Sequence, residues 1–288
     1  VPRTSPLPSA SAATDLPAPR LVVSDMDGTL LDAAGEVPEA FWPLLDLMRE
    51  RGIVFAPASG RQYATLARLF ARASEGMPFI AENGAYVVRD GVEISSLVLD
   101  RAFVVEAVRL LRSLAAAGRD IGVVLCGKRS AYIERVDAPF VAEASRYYAA
   151  LERVDDILAA DDDVLKIAVY DFVDAATGTG AELDRLRETH HVVVSGRHWI
   201  DVMPPAANKG AAVESLQREL GVTRDETVAF GDYLNDLEML DASGQSYAMA
   251  NAHRDILARA RFRAPASDEE GVVAVLRGLL DAEPAQQG

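Results

Sequence analysis

Leu21-Val22-Val23-Ser24-Asp25-Met26-Asp27-Gly28-Thr29-Leu30 is the stretch on which the fold turns. Leu21-Val22-Val23 is a short apolar run that ends at Asp25, with Gly28 just behind it, and reads as a buried strand meeting a turn. In extended backbone, side chains two apart point the same way. Asp25 and Asp27 therefore both face the crevice beyond the strand's carboxyl end, where open α/β sheets bind ligands. Two like charges that close repel unless a cation sits between them or one takes up a proton. A hard cation such as Mg²⁺ takes oxygens from both. A carboxylate beside it can attack phosphorus, and the second can pass a proton to the leaving oxygen. The same residues also suit a plain strand-to-helix turn, so the rest of the chain has to decide.

Downstream, Pro38 opens a helix with Phe41, Leu44, Leu45 and Met48 on one face, and Gly52 closes it. Ile53-Val54-Phe55-Ala56 is a second buried strand, a helix carrying Leu66, Leu69, Phe70 and Ala73 follows, and Phe79-Ile80-Ala81 is a third strand. Uninterrupted apolar strands alternating with helices imply a parallel sheet covered on both faces. The pattern resumes after Lys209, with strands at 227–230 and 247–250 and a last helix carrying Val272, Val275, Leu276 and Leu279. Between these halves, hairpin signals at Asp90-Gly91 and at Ser195-Gly196-Arg197 replace that rhythm. The expected organisation is α/β: a leader over 1–19 with five prolines, a Rossmann-like core from 20–84 and 204–288 with helices on both faces, and an inserted α+β domain over 85–203.

Three further clusters fall after core strands. In Ala58-Ser59-Gly60-Arg61, a hydroxyl and freed backbone N–H groups at a helix start form an anion site, or simply an N-cap. In Asn208-Lys209-Gly210, an ammonium on a helix start can cancel charge on a nucleophilic carboxylate and on a transferring phosphoryl group. In Gly231-Asp232-Tyr233-Leu234-Asn235-Asp236, Asp232 is placed to give a third metal oxygen, and Asn235 and Asp236 open the next helix. No G-x-x-x-x-G-K-[ST] run is present, so this is not a nucleotide P-loop. All four clusters lie at carboxyl ends of core strands, and none falls inside the insert.

Together they resemble the motifs of the haloacid dehalogenase superfamily of phosphatases, in its Cof-type (class IIB) branch, over about residues 20 to 283. The resemblance implies an α/β cap between the second and third motifs, with Ala81-Glu82-Asn83-Gly84-Ala85 leading into it. It implies Asp25 as nucleophile and metal ligand, Asp27 as general acid/base that ligates metal through its backbone carbonyl, and Asp232 as the third protein ligand of Mg²⁺. Asp236 would support metal-bound water or Lys209. Met26 (by backbone), Ser59, Gly60, Lys209 and Asn235 would contact phosphate. Within the cap, Lys128, Arg129, Arg197 and Trp199 sit beside expected turns and are candidates for the substrate entrance.

Composition does not argue against a small phosphorylated substrate, since one metal ion and one or two bases can dominate a local site. Of 288 residues, half are hydrophobic, and 44 acids against 29 bases leave a net charge of -15. That balance argues against nucleic acid, whose backbone is held by clustered Lys and Arg. No stretch approaches the roughly 20 apolar residues that cross a bilayer, and no obligate protein partner is evident. The only cysteine, Cys126, follows an apolar run and reads as a buried filler, which fits a reducing cytoplasm. The expectation is a cytoplasmic, magnesium-dependent phosphatase of small metabolites, sugar phosphates or similar esters, working through an aspartyl-phosphate. A phosphotransferase or mutase on the same core, or a metabolite-sensing module without turnover, are the alternatives.

Overall fold

The structure, a computed structural model, describes residues 16–195 and 197–281. Residues 1–15 of the expected leader, and Gly196 in the second expected hairpin turn, lie outside the described residues.

Eight strands form the first sheet: β1 (Leu21–Asp25), β2 (Val54–Ala58), β3 (Pro78–Ala81), β4 (Tyr86–Arg89), β5 (Val92–Ser96), then, after the insert, β12 (Thr227–Gly231), β13 (Gln245–Met249) and β14 (Phe262–Ala264). Six form a second sheet from the intervening chain: β6 (Ile121–Gly127), β7 (Ala131–Ile133), β8 (Leu151–Arg153), β9 (Val164–Asp171), β10 (His191–Val194) and β11 (Trp199–Met203). The helices are α1 (Trp42–Glu50), α2 (Tyr63–Leu69), α3 (Arg101–Ala116), α4 (Ala138–Tyr147), α5 (Thr179–Leu183), α6 (Lys209–Leu220), α7 (Leu237–Asp241), α8 (Arg254–Arg259) and α9 (Gly271–Asp281).

The first sheet runs β14-β13-β12-β1-β2-β3-β4-β5, and its first six members pair in parallel. With the insert set aside this is the doubly wound order 3-2-1-4-5-6, whose direction of winding reverses between β1 and β12. Every residue of β1 is buried, as a strand covered on both faces requires. Each of Leu21, Val22 and Val23 contributes about 1.5–3 kcal/mol through that burial.

One boundary differs from the expectation. The hairpin β4–β5, assigned to the insert from its Asp90-Gly91 turn, pairs antiparallel with β3 and extends the core sheet. Turn chemistry specifies a hairpin but not which open edge it will join, and β3 offered one. The second sheet therefore begins only after α3.

That sheet follows the two-residue alternation of strands. Leu125, Ile167 and Val169 pack on one side with Val104, Val108 and Leu111 of α3, while Val124, Cys126 and Ala168 pack on the other with Phe140 and Ala144 of α4. Cys126 is fully buried, and burial pushes its thiol up, away from reactivity.

Candidate active site

β1 lies between β2 and β12 with Asp25 opposite Ala58 and Ser24 opposite Phe230, so three strand ends and their loops surround Asp25. The Asp25 carboxylate is nearly closed off from solvent, with a residue exposure of 6%. Lys209, the first residue of α6, is wholly buried and donates to Asp25 Oδ1 and, at 2.6 Å, to Asp236 Oδ1. Asn208 caps that helix by accepting the Ala211 N–H at 2.8 Å, which fixes where Lys209 starts. The other Asp236 oxygen accepts the N–H groups of Asp232 (2.9 Å) and Tyr233 (3.1 Å), pinning the loop after β12. Asp232 Oδ1 accepts the Thr29 hydroxyl at 3.2 Å. The first, third and fourth sequence clusters thus meet around one buried ammonium.

Asp25, Asp232 and Asp236 each present a carboxylate oxygen within 4.8 Å of the others. Burial, with Asp236 and Asp232 beside it, raises the Asp25 carboxyl well above its ordinary value even against Lys209. Burial and Asp236 likewise raise Asp232 to about 6. Against burial, which pulls it down, Asp236 and Asp25 hold the Lys209 ammonium above its usual range. One cation among three crowded carboxylates leaves an all-oxygen, electron-rich donor set, the chemistry a hard divalent ion requires. Since both Asp236 oxygens are already engaged, the free donors are those of Asp25 and Asp232.

Gly28 makes this approach possible. Its φ is +80°, and a Cβ there would lie 2.4 Å from Asp232 Oδ2. Gly28→Ala is expected to cost about 1–3 kcal/mol of stability from the left-handed backbone alone. By displacing Asp232 it should also weaken by about tenfold or more the hold of this trio on any divalent cation. A thermal melt and a divalent-cation binding titration check both; an unchanged titration means that Gly28 does not shape the carboxylate trio.

Asp27 departs from the picture of two carboxylates facing one ion. Its side chain is exposed and forms a fork with Arg61, with Arg61 Nε 2.8 Å from Asp27 Oδ2, and it lies outside the carboxylate trio. The physical reason is that the strand ends at Asp25: Met26 already opens a π-helical turn, so Asp27 is no longer two positions along one extended strand, and the guanidinium draws its carboxylate outward. Arg61 therefore joins the site as Asp27's partner, a role that sequence spacing did not reveal. Asp27 in turn raises the Arg61 guanidinium against the lowering effect of burial.

Ser59 is buried, and its Oγ accepts the Arg61 N–H at 3.1 Å. Gly60 packs on Asn83, which a Cβ would meet at 3.0 Å. Asn235 donates to Asn83 Oδ1 at 3.1 Å, so the second and fourth clusters touch through a residue of the lead-in to the insert. The Met26 side chain is in the core, leaving only its backbone for ligand contact.

Asp25, Asp27, Ser59, Gly60, Asp232 and Asn235 line one side of a cavity of about 870 Å³, and the second sheet with α4 supplies the other side. Arg197 and Trp199 line it as expected for entrance residues. Lys128 and Arg129 do not: Lys128 pairs with Glu93 (2.8 Å) and Asp163 (3.1 Å), and Arg129 points to solvent beside Asp162. Acidic neighbours on β5 and on the loop before β9, invisible to local spacing, claimed both. Tyr147 and Tyr170, with ring centroids 5.4 and 5.0 Å from Trp199, complete an aromatic wall.

A family model described as haloacid dehalogenase-like hydrolase matches residues 22–276. A 5-amino-6-(5-phospho-D-ribitylamino)uracil phosphatase of Escherichia coli is 32% identical over 268 residues, covering 92% of this chain and 97% of its own. An HMP-PP phosphatase of Cronobacter sakazakii is 29% identical over 242 residues, covering 83% and 87% respectively. A crystal structure from Streptococcus mutans superposes with a TM-score of 0.80 at 27% identity, over 92% of this chain and all of that one.

Proposed function

The chain belongs to the haloacid dehalogenase-like hydrolases and is a hydrolase of phosphate monoesters, and from that premise we propose that it releases phosphate from small metabolites through a phosphorylated Asp25, with magnesium. The observation that carries this is the buried Asp25 carboxylate, held by Lys209 and crowded by Asp232, at one side of a cavity between the core and the second sheet. Magnesium, when bound by the Asp25 and Asp232 carboxylates, neutralises charge on the phosphoryl oxygens.

The remaining chemistry belongs to side chains. An Asp25 oxygen attacks phosphorus, the phosphorus–oxygen bond of the ester breaks, and the leaving oxygen takes a proton from Asp27, which must leave its fork with Arg61 to carry one. Asp27, now a carboxylate beside Arg61, then removes a proton from water, whose oxygen attacks phosphorus and frees Asp25. Lys209 offsets charge on the carboxylate nucleophile throughout, already in place and without reorganisation. The Ser59 hydroxyl and the Asn235 amide would donate to phosphoryl oxygens.

A cavity of about 870 Å³ suits a small molecule, and its Tyr147–Tyr170–Trp199 wall offers flat apolar surface for a ring, whether sugar or heterocycle. The names of the two relatives point to ring-bearing phosphates and extend the sugar phosphates expected from sequence. A cytoplasmic location belongs to the same proposal, supported by a lone, buried cysteine.

The test is a panel of sugar, nucleotide and heterocycle phosphates assayed for released phosphate with Mg²⁺ and with EDTA. Turnover is expected with metal and none with chelator. The magnesium requirement should climb as pH falls through about 6, because a proton on Asp232 then competes with the ion. Full activity in EDTA contradicts the metal assignment, and an isomerised rather than hydrolysed substrate points to a mutase.

A further inference from the structure

Three buried charges at the base of the insert take no part in the chemistry above. Lys166 on β9, Glu82 just after β3 and Asp201 on β11 are 3%, 1% and 5% exposed. The Lys166 ammonium is 2.7 Å from Glu82 Oε2 and 3.3 Å from Asp201 Oδ1, and it donates at 3.1 Å to the backbone carbonyl of Gly60. The Glu82 contact is close but off the line of a directed hydrogen bond, and neither Glu82 oxygen has a partner in hydrogen-bonding geometry among the described residues. Against burial, Asp201 and Glu82 keep the ammonium charged.

As glue this trio is a poor choice. Two carboxylates and one ammonium taken out of water leave a net charge, and apolar side chains of similar size commonly do as well or better. What apolar residues cannot do is hold the Gly60 carbonyl. That carbonyl and the Arg61 N–H belong to one rigid peptide plane. The N–H end of the plane donates to Ser59 Oγ, and the Arg61 side chain holds Asp27. The lead-in is locked in the same place: Glu82, Asn83 and Gly84 all have positive φ, and a Cβ on Gly84 would lie 2.2 Å from the Asn208 carbonyl, one residue before Lys209.

We propose that Lys166 is a positioning residue supplied by the insert, whose ammonium fixes the Gly60–Arg61 peptide and thereby sets the Ser59 hydroxyl and the Asp27–Arg61 pair. The core's phosphate loop is then complete only with the insert seated on it. This rests on the phosphatase reading of the site.

Lys166→Met alone strands two buried carboxylates and is expected to unfold, so the informative protein carries Lys166→Met, Glu82→Gln and Asp201→Asn together. It is expected to melt cooperatively and to bind Mg²⁺ as the wild type does. Its kcat/KM for p-nitrophenyl phosphate should fall by about tenfold to a hundredfold, a loss typical of groups misplaced by an ångström. Inorganic phosphate, titrated calorimetrically with Mg²⁺ present, should bind correspondingly more weakly. A folded triple variant with wild-type kcat/KM and phosphate affinity overturns the proposal. If the triple variant does not fold, Lys166→Arg keeps the charge but moves the donor. The same losses are expected there, and wild-type values overturn the proposal equally. Wild-type protein inert toward every phosphate ester contradicts the phosphatase reading instead, and phosphate titration of wild type against variant then decides the role of Lys166 on its own.

Discussion

Asp25→Asn is expected to leave a folded protein whose turnover of phosphate esters is slower by at least about a thousandfold, roughly 4 kcal/mol of transition-state stabilisation. The amide keeps the shape of the side chain and an oxygen for Lys209 to donate to. It cannot form an acyl phosphate, so the proposed two-step route is closed while substrate binding is largely kept. Stability should move the other way. The folded-state carboxyl titrates well above its value in an unfolded chain because of burial and the neighbouring Asp236 and Asp232. A group raised in this way gives its full contribution to stability below the unfolded value, about 3.9, and loses it as pH rises through the folded value. At neutral pH without metal, Asn removes that cost, and the variant should melt no lower than wild type. The difference should vanish as pH falls toward 4. Magnesium should stabilise wild type more than the variant, since a ligand adds stability according to its affinity for the folded state. Phosphate release and thermal melts at several pH values, with and without Mg²⁺, measure all of this. A variant that retains a tenth of wild-type activity rules Asp25 out as the nucleophile.

How much of this was legible in sequence depends on how far apart the partners lie. Asp25, Asp232 and Lys209 were readable because each follows an apolar run or opens a helix, and parallel strands order their carboxyl ends on one side of a sheet. Asp25 and Lys209 are distant in sequence, yet strand order alone brings their loops together. The Gly28–Asp232 approach was not readable, because it depends on a clearance of a few tenths of an ångström between two loops. Arg61 was quoted within its motif but not paired with Asp27, because extended-strand alternation, which aimed both acids inward, stops at Asp25, the last residue of β1. The hairpin at 86–96 was recognised as a hairpin and placed on the wrong side of the domain boundary, since turn residues carry no information about the docking edge. Lys166 and Asp201 gave no local signal, and Glu82 was quoted only as part of the lead-in Ala81-Glu82-Asn83-Gly84-Ala85. Their meeting requires the insert to be seated on the core, and a lone charged residue in an apolar strand reads as an ordinary edge or solvent position until its partners are seen.

Lys209→Met should damage both stability and rate, and the two losses can be pulled apart. The ammonium has no exposure and two carboxylate partners, Asp25 and Asp236. Removing one member of a buried ion cluster leaves the others uncompensated, at a cost of about 3–5 kcal/mol. For a chain of this size that lowers the melting midpoint by on the order of 10 °C. The penalty should shrink in acid, as Asp25 takes up the proton that its raised folded-state value favours. The rate should fall by about a hundredfold to a thousandfold beyond any loss of folded protein, because the preorganised charge that offsets the nucleophile and the phosphoryl oxygens has gone. Adding Asp236→Asn to Lys209→Met removes one of the stranded charges, while an amide oxygen can still accept the Asp232 and Tyr233 N–H groups. The double variant should recover much of the lost midpoint and none of the lost rate. A double-mutant cycle on melting free energy would then give strong coupling between the two positions. Recovery of rate in step with stability would mean that Lys209 serves only to hold the fold, and that the charge for phosphoryl transfer comes from elsewhere in the site.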